Sequence, residues 1–198
     1  VQLALFGGTF DPPHNGHLAL CLYAREMLGI EKLVIAVSNN PLKDARSAPD
    51  TDRFAMAGLL ARIVNQTGEV AEASDRELLQ RGPSYTIDHV AYLEQRYDLG
   101  DMFLLIGEDN YRDFRLWKSW EELARKCTVV VFGRQGGSPD DEADGDNPLA
   151  QHGFRVVRFD FPHSSTEIRG RLLAGEDCRG LIPSPILDYI HDRGLYRA

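Results

Sequence analysis

Six short runs rich in apolar and β-branched residues punctuate the chain, at 2–6, 32–37, 70–73, 102–106, 128–132 and 155–159. Most are continuous rather than alternating, as strands buried on both faces are. Helical spacings lie between them. Residues 16–28 place Leu18, Cys21, Leu22, Arg25 and Leu28 three and four apart, and 52–64 does the same with Phe54, Met56, Leu59, Leu60 and Ile63. Similar patterns follow at 86–96 and 121–125. This alternation predicts a doubly wound, mostly parallel α/β sheet. At 198 residues the chain is long enough for one sizeable core, so one domain over 1–198 is expected.

Sheets of this kind bind ligands outside the carboxyl ends of their strands. Four polar or glycine-rich segments follow apolar runs and are expected to gather there. They are the opening segment from Gly7, then Ser38-Asn39-Asn40, Gly107-Glu108-Asp109 and Gly133-Arg134. The opening segment, Gly7-Gly8-Thr9-Phe10-Asp11-Pro12-Pro13-His14-Asn15-Gly16-His17-Leu18, falls where the first strand ends and the first helix begins. Glycine lets the main chain approach a ligand closely, and a helix start offers unpaired N–H groups and partial positive charge. With two imidazoles three positions apart, the place suits a polyphosphate.

The net charge of −8 argues against coating nucleic acid or adhering to an anionic membrane. An anionic ligand then needs a local concentration of His, Lys and Arg. Three cysteines without a CxxC pair, two of them in apolar runs, read as reduced thiols, and the expected compartment is cytoplasmic. No apolar stretch is long enough to span a bilayer. Residues 135–151 carry five acids among glycines and prolines and read as a mobile surface loop rather than a calcium site, since no glutamate follows at the required spacing.

The C-terminal part, about 160–198, reads as helical. Ser164-Ser165-Thr166-Glu167 carries a capping box, Ser184-Pro185 a second helix start, and Gly194 a stop. Hydroxyls and fresh helix N–H groups at Ser164–Thr166, with the forked cation of Arg169 one turn on, can grip phosphate.

The opening segment is neither a GxGxxG loop nor a Walker A loop. Gly-Gly-Thr-Phe-Asp-Pro joined to His-x-Gly-His resembles the HxGH nucleotidyltransferase superfamily, and within it the bacterial nicotinate (nicotinamide) mononucleotide adenylyltransferases. Ser164-Ser165-Thr166-Glu167-Ile168-Arg169 is similar to that family's second phosphate motif, SSTxxR. Pro83-Ser84-Tyr85-Thr86 resembles its PSYT segment, Gly107-Glu108-Asp109 its GxD, and Trp117 the tryptophan eight residues later. The tail from Leu181 to Tyr196 resembles its terminal helix. The resemblance spans almost the whole chain and implies a Rossmann-like nucleotidyltransferase fold.

It departs at three places, one of them the acidic loop after Arg134, which is longer than usual. Asn40-Pro41-Leu42-Lys43 replaces a PPHK-like segment, and His89 stands where threonine is common, a packing or surface difference.

The resemblance implies transfer of AMP from ATP to nicotinate mononucleotide, giving the dinucleotide and pyrophosphate in NAD biosynthesis. It assigns His14, His17 and Arg169 to catalysis. ATP is expected against Gly7, Gly8, Thr9, Phe10, His14, His17, Gly107, Asp109, Ser164, Ser165, Thr166 and Arg169. The mononucleotide is expected against Asn39, Lys43, Tyr85, Thr86, Trp117 and Arg134, in a pocket with donors and no acidic residue. Mg²⁺ is expected to ride on the ATP phosphates with few protein ligands, so no residue is assigned to metal. His163 is as well suited to the surface as to a phosphate, and His152 and His191 read as surface residues. The partners are then ATP and a pyridine mononucleotide, without nucleic acid or membrane, and a homo-oligomer is allowed. Alternatives are another acceptor, nicotinamide mononucleotide or phosphopantetheine, and a non-catalytic nucleotide-binding module.

Overall fold

The computed structural model describes residues 1–39, 48–80, 82–133 and 154–197. Lys43, Arg134, His152 and the acidic segment 135–151 lie outside the described residues.

The strands are β1 (Leu3–Gly8), β2 (Lys32–Val37), β3 (Ala71–Ser74), β4 (Met102–Gly107), β5 (Thr128–Gly133) and β6 (Arg155–Arg158). They form one sheet in the order β3-β2-β1-β4-β5-β6, and every pairing is parallel. The expected doubly wound architecture is what the chain adopts. The order reverses between β1 and β4, which opens a crevice at their carboxyl ends.

Successive side chains alternate between two buried faces, which explains the unbroken apolar runs. Ala4 and Phe6 of β1, Leu33, Ile35 and Val37 of β2, and Phe103 and Leu105 of β4 share one core. Leu3, Leu5, Val34, Ala36, Leu104 and Ile106 point into the other. Helices α1 (Asn15–Met27) and α2 (Asp50–Val64) cover the first face, together with the C-terminal helix α8 (Ser184–Arg193). Helices α4 (Thr86–Arg96) and α6 (Trp120–Lys126) cover the second. Burial of each large side chain contributes roughly 2 kcal/mol.

Two short helices escaped the sequence pattern, α3 (Arg76–Leu79) and α5 (Glu108–Arg112). Neither is long enough to show a 3.6-residue period. Helix α7 (Ser165–Leu173) begins where the capping signal predicts, and the Ser164 hydroxyl accepts from the Glu167 N–H at 3.2 Å. Only half of the capping box forms, because the Glu167 carboxylate turns to His163 and Arg171. The start of α8 is one residue earlier than expected. Pro183 is its N-cap and Ser184 already lies in the helix, without a side-chain cap. Gly194 ends it with a φ of 63°, the left-handed conformation expected of a glycine stop.

All three cysteines are buried and free. Burial raises the Cys21 thiol and pushes Cys127 up to about 12, so both remain protonated packing groups. No helix among the described residues is long and apolar enough to cross a membrane.

Candidate active site

Strand β1 delivers the opening segment to the reversal point of the sheet. Phe10 turns there with a φ of 48°, a conformation rare for a bulky residue. Its ring is held in the core, 5.5 Å from Phe6 and 5.2 Å from the His17 ring. The peptide between Asp11 and Pro12 is cis.

Helix α1 then opens with a cap built of two histidines. His14 is the N-cap, and its Nδ1 accepts from the Gly16 N–H at 3.1 Å. His17 Nδ1 accepts in turn from the His14 N–H at 3.1 Å. Both Nδ1 atoms therefore carry lone pairs, and in the neutral rings the proton sits on Nε2. In that tautomer each imidazole presents Nε2 as a donor. The rings lie 3.8 Å apart, and Phe161 stacks on His14 at 4.9 Å. Only glycine fits at position 16, since a Cβ there would stand 2.7 Å from Phe161 and 2.9 Å from His14.

Burial, with His163 nearby, lowers the His14 pKa from 6.5 to about 4. His14 is thus a neutral donor at neutral pH, and the first turn of α1 contains no acidic side chain to repel an anion.

The second motif docks directly on the first. Arg169 Nη1 donates to the Asp11 carbonyl at 2.8 Å, and the Ser165 hydroxyl donates to the Pro12 carbonyl at 3.0 Å. Arg169 Nη2 also meets the Thr166 hydroxyl at 3.2 Å. The N-termini of α1 and α7 are thereby brought to the same loop. Glu167, the acid in the first turn of α7, is engaged by His163 at 2.8 Å and Arg171 at 3.2 Å. The His163 bond comes first among the interactions that hold its carboxyl below the usual range. So His163 attends to a carboxylate of α7.

Asp11 is buried, and its Oδ1 accepts from the Tyr196 hydroxyl at 2.7 Å and the Ala48 N–H at 3.2 Å. Nothing in the spacing of the sequence pairs this aspartate with the last tyrosine.

Beside Gly7 lies a small cavity of ≈ 20 Å³ between β1, β2 and β4. Thr86, Trp117, Glu77 and Ala36 stand among its walls. Thr86 starts α4, and Trp117 packs 5.3 Å from Phe114. The expected ring-binding residues Thr86 and Trp117 thus share one cavity with Gly7. Tyr85 is exposed beside it, with Lys118 Nζ 4.3 Å above its ring.

One wall differs from expectation. Glu77, an acid where none was expected, is among the lining residues, and its carboxylate meets at 3.4 Å the buried His89, whose departure is thus one of packing. The segment 76–79 gave no pattern to place Glu77, so only the fold reveals it.

Gly107 ends β4 at the same edge, and Asp109 in α5 is fully exposed there. Asn39 follows β2. Among the described residues, no group of three or more His, Cys, Asp or Glu converges as a metal site would.

Comparison with known proteins gives consistent findings. A family model described as cytidylyltransferase-like matches residues 5–171. A probable nicotinate-nucleotide adenylyltransferase of Chlorobium phaeobacteroides (strain BS1) is 55% identical over 199 residues, covering 100% of both chains. One of Prosthecochloris aestuarii is 52% identical, covering 99% of this chain and 98% of the relative. Among solved structures, a Plasmodium falciparum nicotinic acid mononucleotide adenylyltransferase complexed with NaAD superposes with a TM-score of 0.73 at 17% identity, covering 98% of this chain and 97% of that one. The same enzyme complexed with APC gives 0.70 at 18% identity, over 98% and 96% of the two chains. At such identity these structures show the shared fold.

Proposed function

This chain belongs to the cytidylyltransferase-like family and, within it, to the nicotinate-nucleotide adenylyltransferases, and on that premise we propose that it joins ATP to nicotinate mononucleotide in NAD biosynthesis. A 5′-phosphate oxygen of the mononucleotide attacks the α-phosphorus of ATP. The bond from that phosphorus to the bridging oxygen breaks, and pyrophosphate leaves with the electron pair. The products are nicotinate adenine dinucleotide and pyrophosphate.

The nucleophile is already ionised at neutral pH, so no protein base is required. Catalysis reduces to alignment and to stabilisation of charge on the transferring group. The observation that carries the reading is the docking of α7 on the opening loop through Arg169 and Ser165. It brings two helix N-termini, the histidine cap of α1 and a guanidinium to one loop, an arrangement that suits a triphosphate.

In this reading His14 and His17 donate to the ATP phosphates, with Gly7, Gly8, Thr9 and Phe10 beneath. Ser164, Ser165, Thr166 and Arg169 hold the end that leaves as pyrophosphate. Gly107 and Asp109 border the adenosine. Thr86, Tyr85 and Trp117 border the pyridine ring, Asn39 borders the mononucleotide, and Lys43 and Arg134 are assigned to it from the motif resemblance. ATP enters as its magnesium complex. The histidines and hydroxyls of the clamp would hold the phosphates, and the ion would supply charge neutralisation there.

Glu77 is the observation that favours a second acceptor, since its carboxylate could accept from the carboxamide of nicotinamide mononucleotide. One assay separates the readings: ATP with each mononucleotide in turn, following pyrophosphate. Faster release with the nicotinate form supports the proposal. Faster release with the amide transfers the activity to it, and no release with either refutes both.

A further inference from the structure

We infer that Arg53 is a positioning residue that couples the two substrate subsites, by strapping the main chain beyond β1 to the main chain beyond β2. The inference rests on the function proposed above, in which Thr9 borders ATP and Asn39 borders the mononucleotide.

The strap begins where the sheet stops. The β1–β2 register ends at Gly8 opposite Val37, and the last rung is the Ser38 N–H to the Gly8 carbonyl at 2.8 Å. The next carbonyls on the two chains, Thr9 and Ser38, both receive Arg53 Nη1, at 2.8 and 3.1 Å. Nη2 donates to Asp50 at 2.6 Å. One guanidinium thus continues the ladder where the two loops would part, one toward Phe10 and the histidine cap, the other toward Asn39.

The side chain of Arg53 is fully buried, at 0% exposure. It occupies the inner stripe of α2 with Met56, Ala57, Leu60 and Val64. A methionine would fill that volume without carrying a charge out of water, and the Asp50 carboxylate that pairs with the guanidinium is itself half-exposed, so the pair offsets only part of that cost. Its Nε has no hydrogen-bond partner among the described residues, a further cost. What the arginine offers over methionine is a rigid fork that holds two carbonyls at once. Those carbonyls would otherwise present negative charge at the edge where the proposed substrates are anionic.

The strap is anchored. Asp52, its neighbour on α2, accepts from the Tyr189 hydroxyl at 2.7 Å and Arg193 Nε at 3.0 Å, both on α8. With its base fixed, an ordering of one loop by its ligand is transmitted to the other.

The test is calorimetry on the full chain, with α,β-methylene ATP as an unreactive nucleotide and nicotinate mononucleotide as second ligand. The coupling factor is the analogue's Kd alone divided by its Kd with saturating mononucleotide. Wild type is expected to show a factor of about 10, within the usual range for coupled sites. In Arg53→Met it is expected to fall to about 1, with one analogue still bound per folded chain. Arg53→Lys, with donors but no fork, is expected between them. A merely structural role would lower the folded fraction and leave the factor intact. A factor of about 1 in wild type overturns the inference, as does an undiminished factor in Arg53→Met. Should Arg53→Met fail to fold, Arg53→Lys decides, and a factor equal to wild type overturns it. Wild type that forms no dinucleotide refutes the proposed function. Wild type that forms it while the variants keep full coupling refutes the strap alone.

Discussion

Arg169 Nη1 meets the Asp11 carbonyl at 2.8 Å across 158 residues of chain, and with the Ser165 bond to Pro12 it brings the second phosphate motif to the first. The same guanidinium can then face both a main-chain oxygen and an incoming phosphate. A lysine keeps the charge and loses the fork. Arg169→Lys is therefore expected to lower kcat/KM for ATP about 30-fold, equivalent to ~2 kcal/mol of charge-assisted bonding. The mononucleotide KM should stay within about twofold. Steady-state kinetics with each substrate varied in turn checks the split.

The double-histidine cap has a signature in stability. The His14 pKa falls on folding from 6.5 to about 4, so between those values the unfolded chain binds the extra proton. Unfolding free energy then rises with pH across that window. The stabilisation is fully present above 6.5 and is lost as pH falls toward about 4, by about 3 kcal/mol at most. His14→Asn keeps a good N-cap and removes the titration. Urea unfolding at a series of pH values should show wild type losing more stability than His14→Asn on acidification from 6.5. Parallel curves would remove His14 from the explanation.

The cleft wall predicts opposite effects at two residues. Trp117→Ala should raise the mononucleotide KM about 10-fold through loss of a flat ring face, leaving the ATP KM nearly unchanged. Glu77→Gln should lower the KM for nicotinate mononucleotide, because it removes negative charge from the cavity lining. An unchanged KM in Trp117→Ala would take that residue out of the pocket.

The fold was legible because each strand is buried on two faces, which leaves unbroken runs such as 102–106 in the sequence. The two helix starts that meet at the opening loop were legible too, since histidine at one and serine at the other announce themselves locally. The rest depends on contacts between distant segments. Asp11 with Tyr196, and Asp52 with Tyr189 and Arg193, join residues that no local period relates. Arg53 did leave a signal, a charged residue three before Met56 and seven before Leu60 on the buried stripe of α2. Glu77 was missed, and the start of α8 was placed one residue late, for other reasons. A four-residue helix has no readable period, and the backbone turns into α8 one residue before the serine.

The central claim is that the α-phosphate of ATP is transferred whole, as AMP, to a mononucleotide phosphate. The direct test is one reaction with ATP labelled at the α-phosphorus and unlabelled nicotinate mononucleotide, with the products separated by chromatography. The account predicts label in the dinucleotide and none in the pyrophosphate released. Label recovered only in ATP, ADP or free AMP would contradict it.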